Sequence, residues 1–161
     1  MRGRNFARRP PARPKRQFGW TASDPTHADI GTGTTAAVIM GASDWERGAG
    51  VSQSATLYGI RGFLSLNGLV ASARYWAYIG MYDEGETIDA PSSVATFYSE
   101  DILWTYAWQV PAVTLTSVTV EINVKVKRKI TMDSALYLVS TASAATAVRQ
   151  VILARSVLRF S

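Results

Sequence analysis

The clearest pattern in the chain is an alternation of apolar and polar side chains within the run of residues 114–130. The apolar set is Val118, Val120, Ile122, Val124 and Val126. The polar set is Thr119, Glu121, Asn123, Lys125, Lys127 and Lys129. A period of two places the two sets on opposite faces of a β-strand. The alternation therefore predicts a long strand with one buried face.

Seven other runs are rich in Val, Ile, Thr, Tyr and Trp, which favour strands. They lie at residues 17–23, 34–41, 52–66, 71–82, 102–109, 135–140 and 147–160. Turn-forming residues separate them, and the pair Asn67-Gly68 predicts a hairpin. About eight strands with short connections predict an all-β domain, either an antiparallel jelly-roll sandwich or a closed barrel.

The first 16 residues have a different composition, with seven cations, no acid and three prolines. The cations are Arg2, Arg4, Arg8, Arg9, Arg13, Lys15 and Arg16. Removing these seven from the 17 cations leaves ten against 12 acids, a net charge of −2 for residues 17–161. Such a segment has too little apolar surface to fold by itself, so a disordered or extended basic arm is expected before one folded domain, 17–161.

Several classes of function are disfavoured by the residues present. The chain has no cysteine and one histidine, His27, in a polar segment with Pro25 that predicts an exposed loop. An enzyme is therefore not expected. No apolar stretch is long enough to span a membrane, so no membrane partner is expected.

An acidic group follows the fourth run and is a candidate for Ca²⁺ binding. Its members are Asp83, Glu84, Glu86 and Asp89. Their spacing is not that of an EF-hand loop. The favoured interpretation is a solvated acidic loop, with no metal and no cofactor.

Binding to a nucleic acid is the function that the charges predict. The arm can neutralise phosphates without regard to base sequence. Lys125, Lys127 and Lys129 share one face of the long strand and form a second candidate phosphate-binding row. Protection of a sheet edge by charge explains this row equally well. Among the aromatic residues, Trp76 and Trp104 are expected in the core or an interface.

Five segments together resemble the single jelly-roll capsid proteins of small icosahedral viruses, in particular those of small circular single-stranded DNA viruses. They are the basic arm, QFGWT at 17–21, YGIRGFL at 58–64, VKVKRKI at 124–130 and ALYLV at 135–139. The chain is shorter than most such proteins. The resemblance implies an eight-stranded jelly roll that assembles with copies of itself, on the order of 60, into a closed shell. It also implies that the arm contacts a single-stranded viral genome inside the virion.

The basic residues between 8 and 16 are also typical of a nuclear import signal, which would place the protein in the host nucleus during assembly. Two other functions fit the sequence. One is a nucleic-acid-binding β-barrel or sandwich that is not a capsid protein and works as a monomer or small oligomer. The other is a β-sandwich enzyme or lectin with an incidental basic arm.

Overall fold

The structure is a computed structural model of the chain. It describes residues 17–20, 26–30, 32–41, 54–83, 85–88, 101–112, 116–131, 133–144 and 148–160. These residues form β-strands and no helix. The strands are β1 (Gln17–Trp20), β2 (Thr26–Ile30), β3 (Thr35–Met40), β4 (Ser54–Asn67), β5 (Arg74–Asp83), β6 (Ile102–Gln109), β7 (Ser117–Thr131), β8 (Ser134–Ala142) and β9 (Val148–Phe160). The described residues contain no helix that is long and apolar enough to cross a membrane.

The strands form two antiparallel sheets. The five-stranded sheet has the order β1-β9-β4-β7, with β2 also paired to β9, and the four-stranded sheet has the order β3-β8-β5-β6. β1 and β2 pair with successive parts of β9 and together act as one interrupted strand. With that strand counted once, eight strands have the connectivity of a jelly roll. The predicted all-β jelly-roll sandwich is confirmed.

The apolar faces of the two sheets pack against each other. The five-stranded sheet contributes Ile60 and Leu64 of β4 and Ile122 of β7, all fully buried, and the facing sheet contributes Ile79 and Leu138. Each such side chain stabilises the fold by about 1.5–3 kcal/mol relative to exposure. The long strand β7 has its valines and isoleucines on this inner face, as the alternation predicts.

One polar group crosses this core. The Tyr75 hydroxyl donates a hydrogen bond to Oε1 of Gln150 at 2.5 Å, so the two sheets are joined by a buried polar contact. Within the described residues, the Gln150 Nε2, Ser140 Oγ and Ser156 Oγ atoms are buried without a hydrogen-bond partner.

A smaller apolar cluster lies on the other face of the four-stranded sheet. Tyr78, Tyr82 and Val139 are buried there, and Ile88 and Ile102 pack against them. The hydroxyl groups of Tyr78 and Tyr82 are 2.7 Å apart. This face is therefore partly covered by the segment that follows β5.

Two local predictions were wrong. Asn67-Gly68 does form a turn, with φ of 73° at Gly68, but β4 and β5 do not pair, because the turn carries the chain from one sheet to the other. The segment around His27 is not a loop, since residues 26–30 form β2 and pair with β9. Its register aligns Ile30 with Val148, and both are buried, which explains why a polar segment is a strand.

Candidate nucleic-acid interface

The predicted lysine row lies on the outer face of the five-stranded sheet, which is the face turned away from the core. Lys125, Lys127 and Lys129 are all exposed there. Arg128 is on the opposite face of β7, where its guanidinium forms an ion pair with Asp101 at 2.6 Å. In the described residues β7 pairs with β4 alone, so the row lies along an edge strand. Edge protection therefore remains a sufficient explanation for these three lysines.

Three arginines on the same face were not predicted. Arg61 lies on β4, and Arg149 and Arg155 lie on β9. The register places Arg61 directly between Arg155 on one side and Asn123 on the other. Both β4 and β9 are paired along both of their edges, so protection of an edge cannot explain these arginines. We call this surface the cationic face, and its members are Arg61, Lys125, Lys127, Lys129, Arg149 and Arg155.

Charge is divided unequally between the two sheets. The strands of the five-stranded sheet carry eight lysines and arginines and two acids, Asp29 and Glu121. The strands of the four-stranded sheet carry one cation, Arg74, and one acid, Asp83. The remaining nine acids of the chain lie outside these strands. One broad surface of the sandwich is consequently positive although residues 17–161 are slightly negative overall.

An apolar patch interrupts the cationic face. Phe63 on β4 is 54% exposed, and its register partner on β9, Leu153, is 53% exposed. On its other side Phe63 faces Glu121 of β7. These side chains, with Arg61 and Arg155, line an open depression of about 280 Å³.

A second depression lies next to the first and is more polar. It measures about 460 Å³ and is lined by Gly59, Arg61, Lys125, Lys127 and Val157, among others. A Cβ at Gly59 would lie 2.5 Å from the Val124 carbonyl oxygen, so this position accepts only glycine without rearrangement. Arg61 borders both depressions.

An irregularity in β4 explains why sequence reasoning missed Arg61 and Phe63. The pairing of β4 with both neighbours shifts by one residue between Leu57 and Gly59. Before the shift the odd-numbered residues face the core. After it the even-numbered residues Ile60, Leu64 and Leu66 face the core. Since such a bulge reverses the alternation, the pattern read from the start of the strand assigns Phe63 to the wrong face. The sequence did carry one indication of the correct faces, since Ile60, Leu64 and Leu66 are apolar residues at even-numbered positions.

The other candidate site residues are those of the basic arm and of the acidic group. The arm, residues 1–16, lies outside the described residues, as do Glu84 and Asp89. Asp83 accepts a hydrogen bond from Ser134 Oγ at 2.7 Å, and its own N–H donates to Glu86 Oε2 at 2.9 Å. Both carboxylates thus bind groups of the protein, and the described part of the chain has no group of three possible metal ligands.

Two tryptophans are also placed by the structure. Trp104 packs partly buried against the core and stacks on Tyr106, with ring centroids 5.9 Å apart. Trp76 is half-buried on the other face of the same sheet. Neither is near the cationic face.

Comparison with known proteins gives structural matches but no sequence match. No protein-family profile and no curated protein matches the chain. A structure of Desmodium yellow mottle tymovirus matches 99% of this chain and 97% of its own, with 12% identity and a TM-score of 0.36. The empty head of turnip yellow mosaic virus matches 100% of this chain and 89% of its own, with 14% identity and a TM-score of 0.37. Infectious bursal disease virus, Gt strain, matches 92% of this chain and 34% of its own, with 12% identity and a TM-score of 0.41.

Proposed function

We propose that this chain is the coat protein of a small icosahedral virus, and that it packages single-stranded nucleic acid with its basic arm and its cationic face. Its role is structural rather than enzymatic. The sequence resemblance to single jelly-roll capsid proteins and the jelly-roll order of the strands support this proposal. The protein then belongs to the virion, and the basic residues of the arm would direct it to the host nucleus.

The observation that carries the nucleic-acid part is the presence of arginines on the two central strands. Arg61 and Arg155 face each other directly across β4 and β9. Protection of a sheet edge accounts for neither arginine, because both strands are paired along both of their edges. A polyanion along the face can contact both guanidinium groups, and each phosphate that it brings neutralises one cation.

The fold offers the surfaces that a closed shell needs. A jelly roll has two ends formed by connections and lateral edges at its outer strands, here β7 and the β1–β2 side in one sheet and β3 and β6 in the other. Several distinct surfaces of this kind allow the heterologous contacts of an icosahedral assembly, on the order of 60 copies. The cationic face is a separate surface and is left available to the genome.

The alternative is a nucleic-acid-binding protein that forms no shell. The cationic face favours it as much as it favours a coat protein, since binding to phosphates requires no assembly. The two functions differ in what the purified protein forms.

Electron microscopy of the purified full chain, with measurement of its nucleic-acid content before and after nuclease treatment, tests the proposal. We expect uniform round particles that protect nucleic acid from the nuclease. The triple variant Lys125→Gln, Lys127→Gln and Lys129→Gln should form particles with less nucleic acid. Arg74→Gln, which removes a cation from the other sheet, is the matched control and should change nothing. A monomer that binds oligonucleotides would establish the alternative, and particles with unchanged content in the triple variant would remove the row from the interface.

A further inference from the structure

The apolar patch of Phe63 and Leu153 would contribute nothing to an interface that binds only through charge. Phe63 and Leu153 are each more than half exposed at adjacent positions of two central strands. Placing a phenylalanine ring in water forgoes the stabilisation that its burial would give. The ring also lies beside Arg61 and Arg155.

The charges around Phe63 differ from those around its neighbour Gly59. Glu121 lies directly opposite Phe63, so a phosphate at the ring would meet a like charge. Lys125 lies opposite Gly59, and the depression there is bordered by Arg61, Lys125 and Lys127. The first depression thus combines the apolar surface of Phe63 and Leu153 with an acid beside two arginines, whereas the second has cations and no acid. The first therefore suits an apolar group better than the second does, and the second suits an anion better.

We propose that the two depressions together bind a short stretch of a single nucleic-acid strand, with one base stacked on Phe63 against Leu153 and a phosphate of the neighbouring nucleotide held above Gly59 by Arg61, Lys125 and Lys127. Phe63 and Leu153 supply apolar surface for the flat base, and an aromatic ring stacks on any base because every base has a π-face. Glu121 accepts a hydrogen bond from a ring N–H, such as N3–H of thymine, or from an exocyclic amino group at the edge of the base. Arg61 borders both depressions and contacts the nucleic-acid strand between this base and the phosphate above Gly59.

The occupant is a single strand and not a duplex. In a duplex the bases are stacked on each other, and a side chain on a flat sheet cannot reach their faces. An unpaired strand exposes its bases and presents them together with its phosphates. The inference rests on the proposed function, since it specifies how the cationic face would contact the packaged genome.

The test compares ligands with equal numbers of phosphates. Labelled oligothymidine, an abasic oligomer of the same length and a duplex of the same length are titrated into the dissociated full chain at one salt concentration. The variants are Phe63→Leu, which keeps an apolar side chain, and Phe63→Trp, which keeps a ring. Val38→Ala is the control, because Val38 is 46% exposed on the other sheet.

We expect wild-type protein to prefer oligothymidine to the abasic oligomer. Phe63→Leu should weaken binding of oligothymidine about tenfold, the effect of losing one base–aromatic stack. It should leave binding of the abasic oligomer and the duplex unchanged, while Phe63→Trp and Val38→Ala bind like wild type.

The other outcomes separate this inference from the proposed function. If wild type and Phe63→Leu each bind oligothymidine and the abasic oligomer equally, no base stacks on Phe63 and the inference is overturned. The proposal that the protein packages nucleic acid through its phosphates would still stand. Loss of particles in Phe63→Leu, with unchanged oligonucleotide binding, assigns the patch to a contact between copies and also overturns the inference. Failure of the wild-type chain to bind any of the three ligands overturns both.

Discussion

Gly62 is the residue at which β4 and β9 tolerate no side chain. A Cβ built there lies 2.5 Å from the Ala154 Cα and closer still to the Leu153 carbonyl oxygen. Both atoms belong to the backbone of a central strand, so neither can move without disturbing the pairing of β9. The absence of a side chain at Gly62 thus allows β4 and β9 to approach closely. These two strands carry Arg61, Phe63, Leu153 and Arg155.

We expect Gly62→Ala to lower the free energy of unfolding by about 1–3 kcal/mol, the usual range for overpacking a filled site. Thermal unfolding followed by circular dichroism measures the change. Gly33→Ala is the matched control, because no atom lies within 4 Å of a Cβ at Gly33. Equal melting temperatures for the two variants would show that β9 adjusts freely at this point.

The Tyr75 hydroxyl is the second residue-scale feature with a measurable consequence. Burial raises the pKa of Tyr75 far above its usual value, and the Tyr75 hydroxyl is also hydrogen-bonded to Gln150. The unfolded chain ionises this tyrosine near pH 10 while the folded chain keeps it neutral. Its contribution to stability is therefore complete below about pH 10 and declines as the pH rises above that value, since the unfolded state then binds fewer protons.

Tyr75→Phe should lower the free energy of unfolding by about 1–3 kcal/mol at neutral pH, because it leaves the buried Gln150 oxygen without its donor. Above about pH 10 the variant should lose stability less steeply than the wild type. Chemical denaturation at several pH values measures both effects, with Tyr137→Phe, a half-buried tyrosine of the other cluster, as the control. Parallel pH profiles for wild type and Tyr75→Phe would contradict this account.

At the scale of strands, the sequence predicts the existence of most elements and fails where one strand departs from regularity. The alternation in β7 holds from Val118 to Lys127, so the two faces of this strand were predicted, while Arg128 stands at an inner-face position where the pattern predicts an apolar residue. The shift in β4 between Leu57 and Gly59 depends on its pairing with β7 and β9, which is tertiary information. The strand β2 was missed for a related reason, since its pairing with β9 overrides the weak strand propensity of a polar segment.

The facing pair Arg61 and Arg155 predicts different effects on stability and on binding. Arg61→Gln keeps a polar side chain on the exposed face of β4 and removes one cation. We expect the free energy of unfolding to change by less than about 0.5 kcal/mol, as is usual for an exposed position. It should also make the salt dependence of single-strand binding shallower by about 0.7 in the log–log slope, the value for one phosphate contact.

Arg74→Gln is the matched control for this pair, since Arg74 is the cation in the strands of the other sheet. It should leave both quantities unchanged. Lower stability together with unchanged binding in Arg61→Gln would indicate that Arg61 serves the fold and not a polyanion.

For the whole molecule, sequence reasoning predicted the fold class, whereas the division into a basic arm, residues 1–16, and one domain, residues 17–161, stays a prediction because the arm lies outside the described residues. The two-sheet arrangement was predictable because eight amphipathic strands have few ways to bury their apolar faces. The cationic face was only partly predictable. Arg61, Arg149 and Arg155 are separated from the lysine row in sequence, and only the strand order β9-β4-β7 brings them together.

Deletion of residues 1–16 should preserve the β circular-dichroism signal, because every strand pair of the described residues lies at or after Gln17. It should reduce the log–log salt slope of single-strand binding by about 5, the effect of seven phosphate contacts at 0.7 each. The slope that remains measures the cationic face. Binding titrations across a salt series, with unrelated oligonucleotide sequences, provide the comparison. An unchanged slope in the deletion would remove the arm from the interface.

The unequal charge of the described strands makes one sheet of the folded domain positive and leaves the other nearly uncharged. The field of a negatively charged polymer attracts the positive sheet more strongly than the other sheet before any contact forms. Domains that collect on one strand then share a single orientation, with the same sheet toward the polymer and the other sheet outward. In that case, binding to the polymer decides which sheet faces the inside of an assembly, and it does so before neighbouring copies contact each other.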